Sequence, residues 1–150
     1  MTNTLIGVIG GSECSREIET LAEAVGEGLA QRGAVLICGG RGGVMAAACR
    51  GAARRGGTTI GLLPGTDRGE ANPWVSLAIP TGLGQARNAV IATAAAALIA
   101  VDGSYGTLSE IALALRLGRP VIGLRSWDID GVTPADSPDA AVSLALARVS

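Results

Sequence analysis

Three times along this chain a short apolar run ends in glycines and passes at once into a helix-like stretch. The first is Leu5-Ile6-Gly7-Val8-Ile9-Gly10-Gly11-Ser12, and the second ends in Gly39-Gly40-Arg41-Gly42-Gly43-Val44-Met45. The third runs from Ala97 into Gly103-Ser104-Tyr105-Gly106-Thr107-Leu108. Short β-branched runs alternating with longer helical stretches fold into a parallel sheet covered on both faces. Strands are expected at Leu5–Gly10, Ala34–Cys38, Thr58–Leu63, Ala97–Val101 and Val121–Leu124, with Val75–Ile79 as a short sixth. Helices are expected over Ser15–Arg32, Gly43–Arg55, Leu83–Ala94, Thr107–Leu117 and Ala135–Val149. Together they predict a doubly wound, Rossmann-like α/β sheet of order 3-2-1-4-5. No linker or composition break divides the chain, so 1–150 reads as one domain of ordinary size.

The glycines also carry a chemical expectation. Glycine tolerates φ > 0 and lets a ligand approach the backbone. The helix that follows points free N–H groups and the positive end of its dipole at that ligand, which suits phosphate. A single glycine turn is as often structural as functional. Three at the carboxyl edge of one sheet are a stronger signal, because the first and third flank the switch point where open α/β sheets bind ligands. On this reading Gly10, Gly11, Ser12, Gly40, Arg41, Gly42, Gly43, Gly103, Ser104, Tyr105, Gly106 and Thr107 are candidate ligand contacts.

Composition removes several chemistries. All 12 basic residues are arginine, with no lysine and no histidine. There is thus no imidazole base, no Ser-His-Asp or Cys-His arrangement, no Walker A lysine and no Schiff base. The net charge of −1 offers no general attraction to nucleic acid or anionic membrane. Cys14, Cys38 and Cys49 form no CxxC pair, so neither a disulfide framework nor a metal site is expected. The apolar run from Ala89 to Val101 is shorter than the ~20 residues a membrane span needs. The N-terminal segment reads as a strand, not a signal peptide, so a reducing cytoplasm is the expected setting.

Some residues admit two readings. Thr107-Leu108-Ser109-Glu110 has the form of a capping box, with Thr107 as the cap. Alternatively the Thr107 hydroxyl meets a phosphate oxygen and Glu110 a ribose hydroxyl. Arg87, after Thr81-Gly82, is a surface cation or a second phosphate clamp; a pocket free of lysine and histidine needs such a cation, which favours the clamp. Trp74, Tyr105 and Trp127 each follow an expected strand and could form a stacking wall, close over loops or meet another subunit. Glu19, Glu23 and Glu27 read as a solvated acidic face of the first helix, and Arg50 and Arg54 as an exposed basic face of the second. The chain is 48% hydrophobic with a mean hydropathy of +0.41. The apolar stretches Ala89–Ala97 and Ile111–Leu117 exceed what one sheet face can cover, so a homodimer or homotetramer is expected.

Several longer motifs carry a resemblance. The second and third glycine turns, Leu63-Pro64-Gly65, Glu70-Ala71-Asn72-Pro73 and Pro80-Thr81-Gly82-Leu83-Gly84-Gln85-Ala86-Arg87-Asn88 closely resemble the molybdenum cofactor carrier proteins and their bacterial relatives. These sit within the Lonely Guy (LOG) group of Rossmann-like nucleotide-binding proteins, and the similarity runs from about Ile6 to Leu124. The resemblance implies a homo-oligomer that holds the pterin phosphate of molybdenum cofactor, or a nucleoside monophosphate, without transforming it. It adds Thr81, Gly82 and Asn88 to the candidate contacts, beside Arg87 and Glu110. LOG enzymes instead cleave the N-glycosidic bond of cytokinin nucleoside monophosphates, with the pattern Pro-Gly-Gly-x-Gly-Thr-x-x-Glu and an upstream Arg-Lys pair. Here Arg87 and Glu110 stand at the two catalytic positions, while Asp102 replaces the proline, Ser104 the second glycine and Asn88 the lysine. The leading expectation is a carrier or sensor of a phosphorylated pterin or nucleotide. The alternative is a nucleoside 5′-monophosphate phosphoribohydrolase using Arg87 and Glu110.

Overall fold

The parallel sheet forms because its strands are apolar on both faces. The computed structural model describes residues 4–149. Its strands are β1 (Leu5–Ile9), β2 (Val35–Cys38), β3 (Thr59–Leu63), β4 (Leu77–Pro80), β5 (Ala97–Val101), β6 (Val121–Leu124) and β7 (Val132–Ala135). All seven join one parallel sheet of order β4-β3-β2-β1-β5-β6-β7. The expected five-strand order is its centre, and the expected sixth strand is β4.

The helices are α1 (Arg16–Gln31), α2 (Val44–Arg54), α3 (Arg87–Ala94), α4 (Tyr105–Arg116) and α5 (Pro138–Ala147). Successive strand residues point to opposite faces, and the two cores divide accordingly. Ile6, Val8, Leu36, Cys38, Ile99 and Val101 pack under α1, α2 and α5. Ile9, Ile37, Leu62, Leu98 and Ala100 pack under α3 and α4. Among the described residues no helix is long and apolar enough to cross a membrane.

Four sequence expectations are corrected. The last helix does not begin at Ala135: Val132–Ala135 is strand β7, and α5 starts after Ser137, whose hydroxyl accepts from the Ala140 N–H at 3.1 Å. The third helix begins at Arg87, not Leu83, because Gly82 and Gly84 hold φ of 66° and 59° and a 3₁₀ turn at Gly84–Ala86 intervenes. The fourth helix begins at Tyr105, not Thr107. Finally, the acidic and basic faces of α1 and α2 are not separate solvated surfaces. Arg50 bonds Glu19 at 2.9 Å and Glu23 at 3.1 Å, Arg54 also pairs with Glu23, and Arg55 approaches Glu27.

Candidate functional site

The order of the sheet fixes where a site can form. From β1 the chain winds outward through β2 to β4; it then returns to β5 on the other side of β1 and continues to β7. The carboxyl ends of β1 and β5 therefore diverge at the switch point. A cavity of about 300 Å³ opens there, at the lower end of the range for small-molecule sites. Gly10, Gly11 and Ser12 after β1, Gly39 after β2, and Ser104, Gly106 and Thr107 after β5 form its glycine-rich wall. Arg87, Asn88 and Glu110 close it from α3 and α4.

The α4 end is built by a capping box, but not the one its sequence suggests. Ser104 is the N-cap and Thr107 the third helical residue, and Thr107 Oγ1 accepts the Ser104 N–H at 3.3 Å. The box uses Ser104 and Thr107 instead of Thr107 and Glu110, because the helix starts two residues earlier than expected. Thr107 is buried, its hydroxyl turned back onto the turn. Glu110, a further turn along, is left free to face the cavity.

Arg87 and Glu110 are the charged pair lining the cavity. One terminal nitrogen of Arg87 donates to the carbonyls of Gly39 and Leu62, both at 2.6 Å. This anchors the guanidinium across the ends of β2 and β3. Its Nε is buried and finds no protein partner. Burial lowers the Arg87 pKa, and the charge of Glu110 opposes that shift. Burial raises Glu110 to about 7, against the pull of Arg87. A carboxyl poised near neutrality beside a fixed cation can donate or accept a hydrogen bond according to what sits opposite it.

The second glycine turn contributes less to the cavity than expected. Gly40, Arg41, Gly42 and Gly43 do not line it. At Gly43, with φ 59°, a Cβ would lie 2.3 Å from the Gly11 carbonyl oxygen, so this glycine lets the first two turns touch. The Gly40 carbonyl accepts from the Asn72 N–H at 2.8 Å, Asn72 Nδ2 donates to the Arg41 carbonyl at 2.9 Å, and Arg41 pairs with Glu70 at 3.0 Å. The Glu70-Ala71-Asn72-Pro73 motif thus acts as a brace for that loop. Thr81, Gly82, Gly103 and Tyr105 also stand outside the lining. Thr81 Oγ1 donates to the Leu63 carbonyl at 2.7 Å, which fixes the end of β3.

Sequence reasoning did not assign Val8, Ile9, Gly39, Met45, Pro64, Gly84 and Gln85, all of which line the cavity. Gly39 and Pro64 directly follow β2 and β3, so their position at the carboxyl edge was the available signal. The three aromatics divide. Tyr105 and Trp127 stack with centroids 6.0 Å apart, whereas Trp74 lies against Arg50 on the α2 side. No single aromatic wall forms.

Fold and cavity together define a Rossmann-like α/β protein with its cleft at the switch point of a parallel sheet. The chain belongs to the SLOG cluster4 family, whose model matches residues 3–147. It is 43% identical over 139 residues to an uncharacterized protein of Archaeoglobus fulgidus, covering 92% of this chain and 91% of that one. Two solved structures are similar along their whole length. The molybdenum cofactor binding protein of Rippkaea orientalis shares 36% identity with a TM-score of 0.95, covering 100% of this chain and 99% of that chain. The molybdenum cofactor carrier protein of Chlamydomonas reinhardtii shares 34% identity with a TM-score of 0.91, covering 98% of each chain.

Proposed function

We propose that this protein is a carrier or sensor that holds a phosphorylated pterin or nucleotide, with molybdenum cofactor as its foremost cargo. The observation that carries this reading is the cavity itself. Glycine turns from three strands and the N-terminus of α4 face one space, beside an anchored arginine whose Nε has no protein partner. Backbone N–H groups, a helix dipole and a guanidinium are the donors a phosphate ester requires. The choice of pterin draws on what the Rippkaea and Chlamydomonas proteins are said to bind. Within this reading Gly10, Gly11, Ser12, Ser104 and Gly106 cradle the phosphate, and Arg87 and Asn88 clamp it. The three free cysteines favour a reducing cytoplasm.

Gly106 gives a clean test. A Cβ there would meet only Ser104 Oγ, at an ordinary 3.7 Å, so Gly106→Val should fold and fill the cradle. Titration calorimetry with inorganic phosphate and GMP should show binding to the parent and at least tenfold weaker binding to the variant. Equal affinity would remove this turn from the phosphate site. Robust release of free base from AMP or GMP by the parent would replace the carrier reading with a hydrolase.

The same reading includes self-association. Leu77 and Ile79 on edge strand β4, Leu83, Val90 on α3 and Leu117 at the end of α4 remain exposed. Ile111 and Ala114 are spent in the core, so only part of the apolar surplus expected from sequence reaches the surface. Burying the exposed remainder between copies is the simplest use for it. Light scattering at micromolar concentration should give a dimer or tetramer mass, and a constant monomer mass would refute the assembly.

A further inference from the structure

The proposed cradle leaves unused the open ring of Tyr105. This residue is the first of α4 and 82% exposed, although its neighbours on both sides, Ser104 and Gly106, line the cavity. Its ring is backed by Trp127, at 6.0 Å between centroids and 29° between planes. Trp127 is itself tied down, its indole Nε1 donating to the Ser104 carbonyl at 3.2 Å. Gly103 makes room for it: a Cβ there would come 3.1 Å from that nitrogen. The turns that carry the two rings hold non-glycine residues in the left-handed region, Asp102 at φ 56° and Arg125 at φ 53°. Such conformations persist where the surroundings over-determine them.

We propose that the Tyr105–Trp127 pair is a stacking platform for the planar heterocycle of a ligand whose phosphate occupies the neighbouring cavity. The proposal rests on the binding function argued above and extends it to the other end of the ligand. The residues on either side of Tyr105 in the chain, Ser104 and Gly106, line that cavity, so the platform sits at its edge. A tyrosine ring already held against an indole loses little freedom when a second ring covers it, which favours stacking over an equivalent mobile side chain. Trp127 also lines a second hollow, with Asp102, Gly103, Arg125, Ser126 and Asp128.

The test compares Tyr105→Ala and Tyr105→Phe with the parent, using inorganic phosphate, GMP and neopterin monophosphate as probes. Tyr105→Ala should weaken GMP or the pterin ester about tenfold or more, the size of one lost base–aromatic stack. It should leave inorganic phosphate unchanged, and Tyr105→Phe should behave as the parent does. In a Trp74→Phe background, the remaining Trp127 fluorescence should respond to the heterocyclic probes and not to phosphate. If Tyr105→Ala binds both heterocyclic esters as tightly as the parent, the platform is wrong and the cradle stands. If the parent binds none of the three probes, the cradle fails and the platform with it.

Discussion

Gly26→Val should destabilise the protein by about 3 kcal/mol, measured by urea unfolding, while Gly28→Ala on the same helix should stay within about 1 kcal/mol of the parent. A Cβ at Gly26 would stand 1.9 Å from the Ala48 carbonyl oxygen and 3.0 Å from the Ala52 nitrogen, both backbone atoms of α2. A Cβ at Gly51 would likewise lie 2.0 Å from the Glu23 carbonyl oxygen of α1. The two helices therefore touch through glycine, and a side chain at either point must push them apart as rigid bodies. Separation would loosen Ala22, Val25, Ala48 and Ala52 in the shared core and stretch the Arg50 pairs with Glu19 and Glu23. The better helix propensity of a non-glycine residue returns at most about 1 kcal/mol. At Gly28 the obstacle is a methyl of Val142, 3.0 Å away on a side chain that can give. Equal stability of Gly26→Val and Gly28→Ala would show that α1 and α2 are not in contact at these glycines.

That contact marks a limit of what the sequence tells. A glycine after a strand announces a turn, whereas Gly26 and Gly51 inside helical patterns look only like weak helix formers. The same blindness hid the pairing of the α1 glutamates with the α2 arginines: each stripe was visible, but their meeting is set by how closely the glycines let the helices pack. The central strand order was legible because apolar runs, glycine turns and helical stretches alternate cleanly from Leu5 to Leu124. Strand β7 was not, because Val132-Thr133-Pro134-Ala135 is short and contains a proline. Such a strand is tolerated at the edge, where β7 lies beside β6.

At the cavity, position along a strand proved more informative than residue type. The first and third turns reach the space at the switch point because β1 and β5 are the strands that diverge there. The second turn has the richest glycine content, yet of its glycines only Gly39 lines the cavity. Its other glycines serve close packing against Gly11 and Gly61, a use that composition cannot separate from ligand contact. The α4 cap shifted by a similar ambiguity, since both Ser104 and Thr107 are good capping residues. The Ser104 N–H, donating to Thr107 Oγ1 at 3.3 Å, decides between them.

Glu110→Gln should stabilise the protein by about 2 kcal/mol at pH 8.5 and change it little at pH 4.5. Burial raises the Glu110 carboxyl from 4.5 to about 7, with Arg87 opposing. An acid whose pKa is higher folded than unfolded binds protons more tightly when folded. Its contribution to stability is therefore complete below pH ~4.5 and is lost as the pH climbs through 7. Above that, the folded chain carries an ionised carboxylate in a site that disfavours it. Full conversion of the rise would give ~3 kcal/mol; the contact of Glu110 with the open cavity reduces this to about 2. Glutamine keeps the shape and has no charge to lose, so its unfolding free energy should lack this component between pH 5 and 8. Urea unfolding of parent and variant at pH 4.5, 6, 7 and 8.5 reads the difference directly. The gap between them should open across the interval from pH 5 to 8. A gap that stays constant over the whole range would mean that Glu110 titrates as an ordinary surface carboxylate, and that the cavity does not shield it from water.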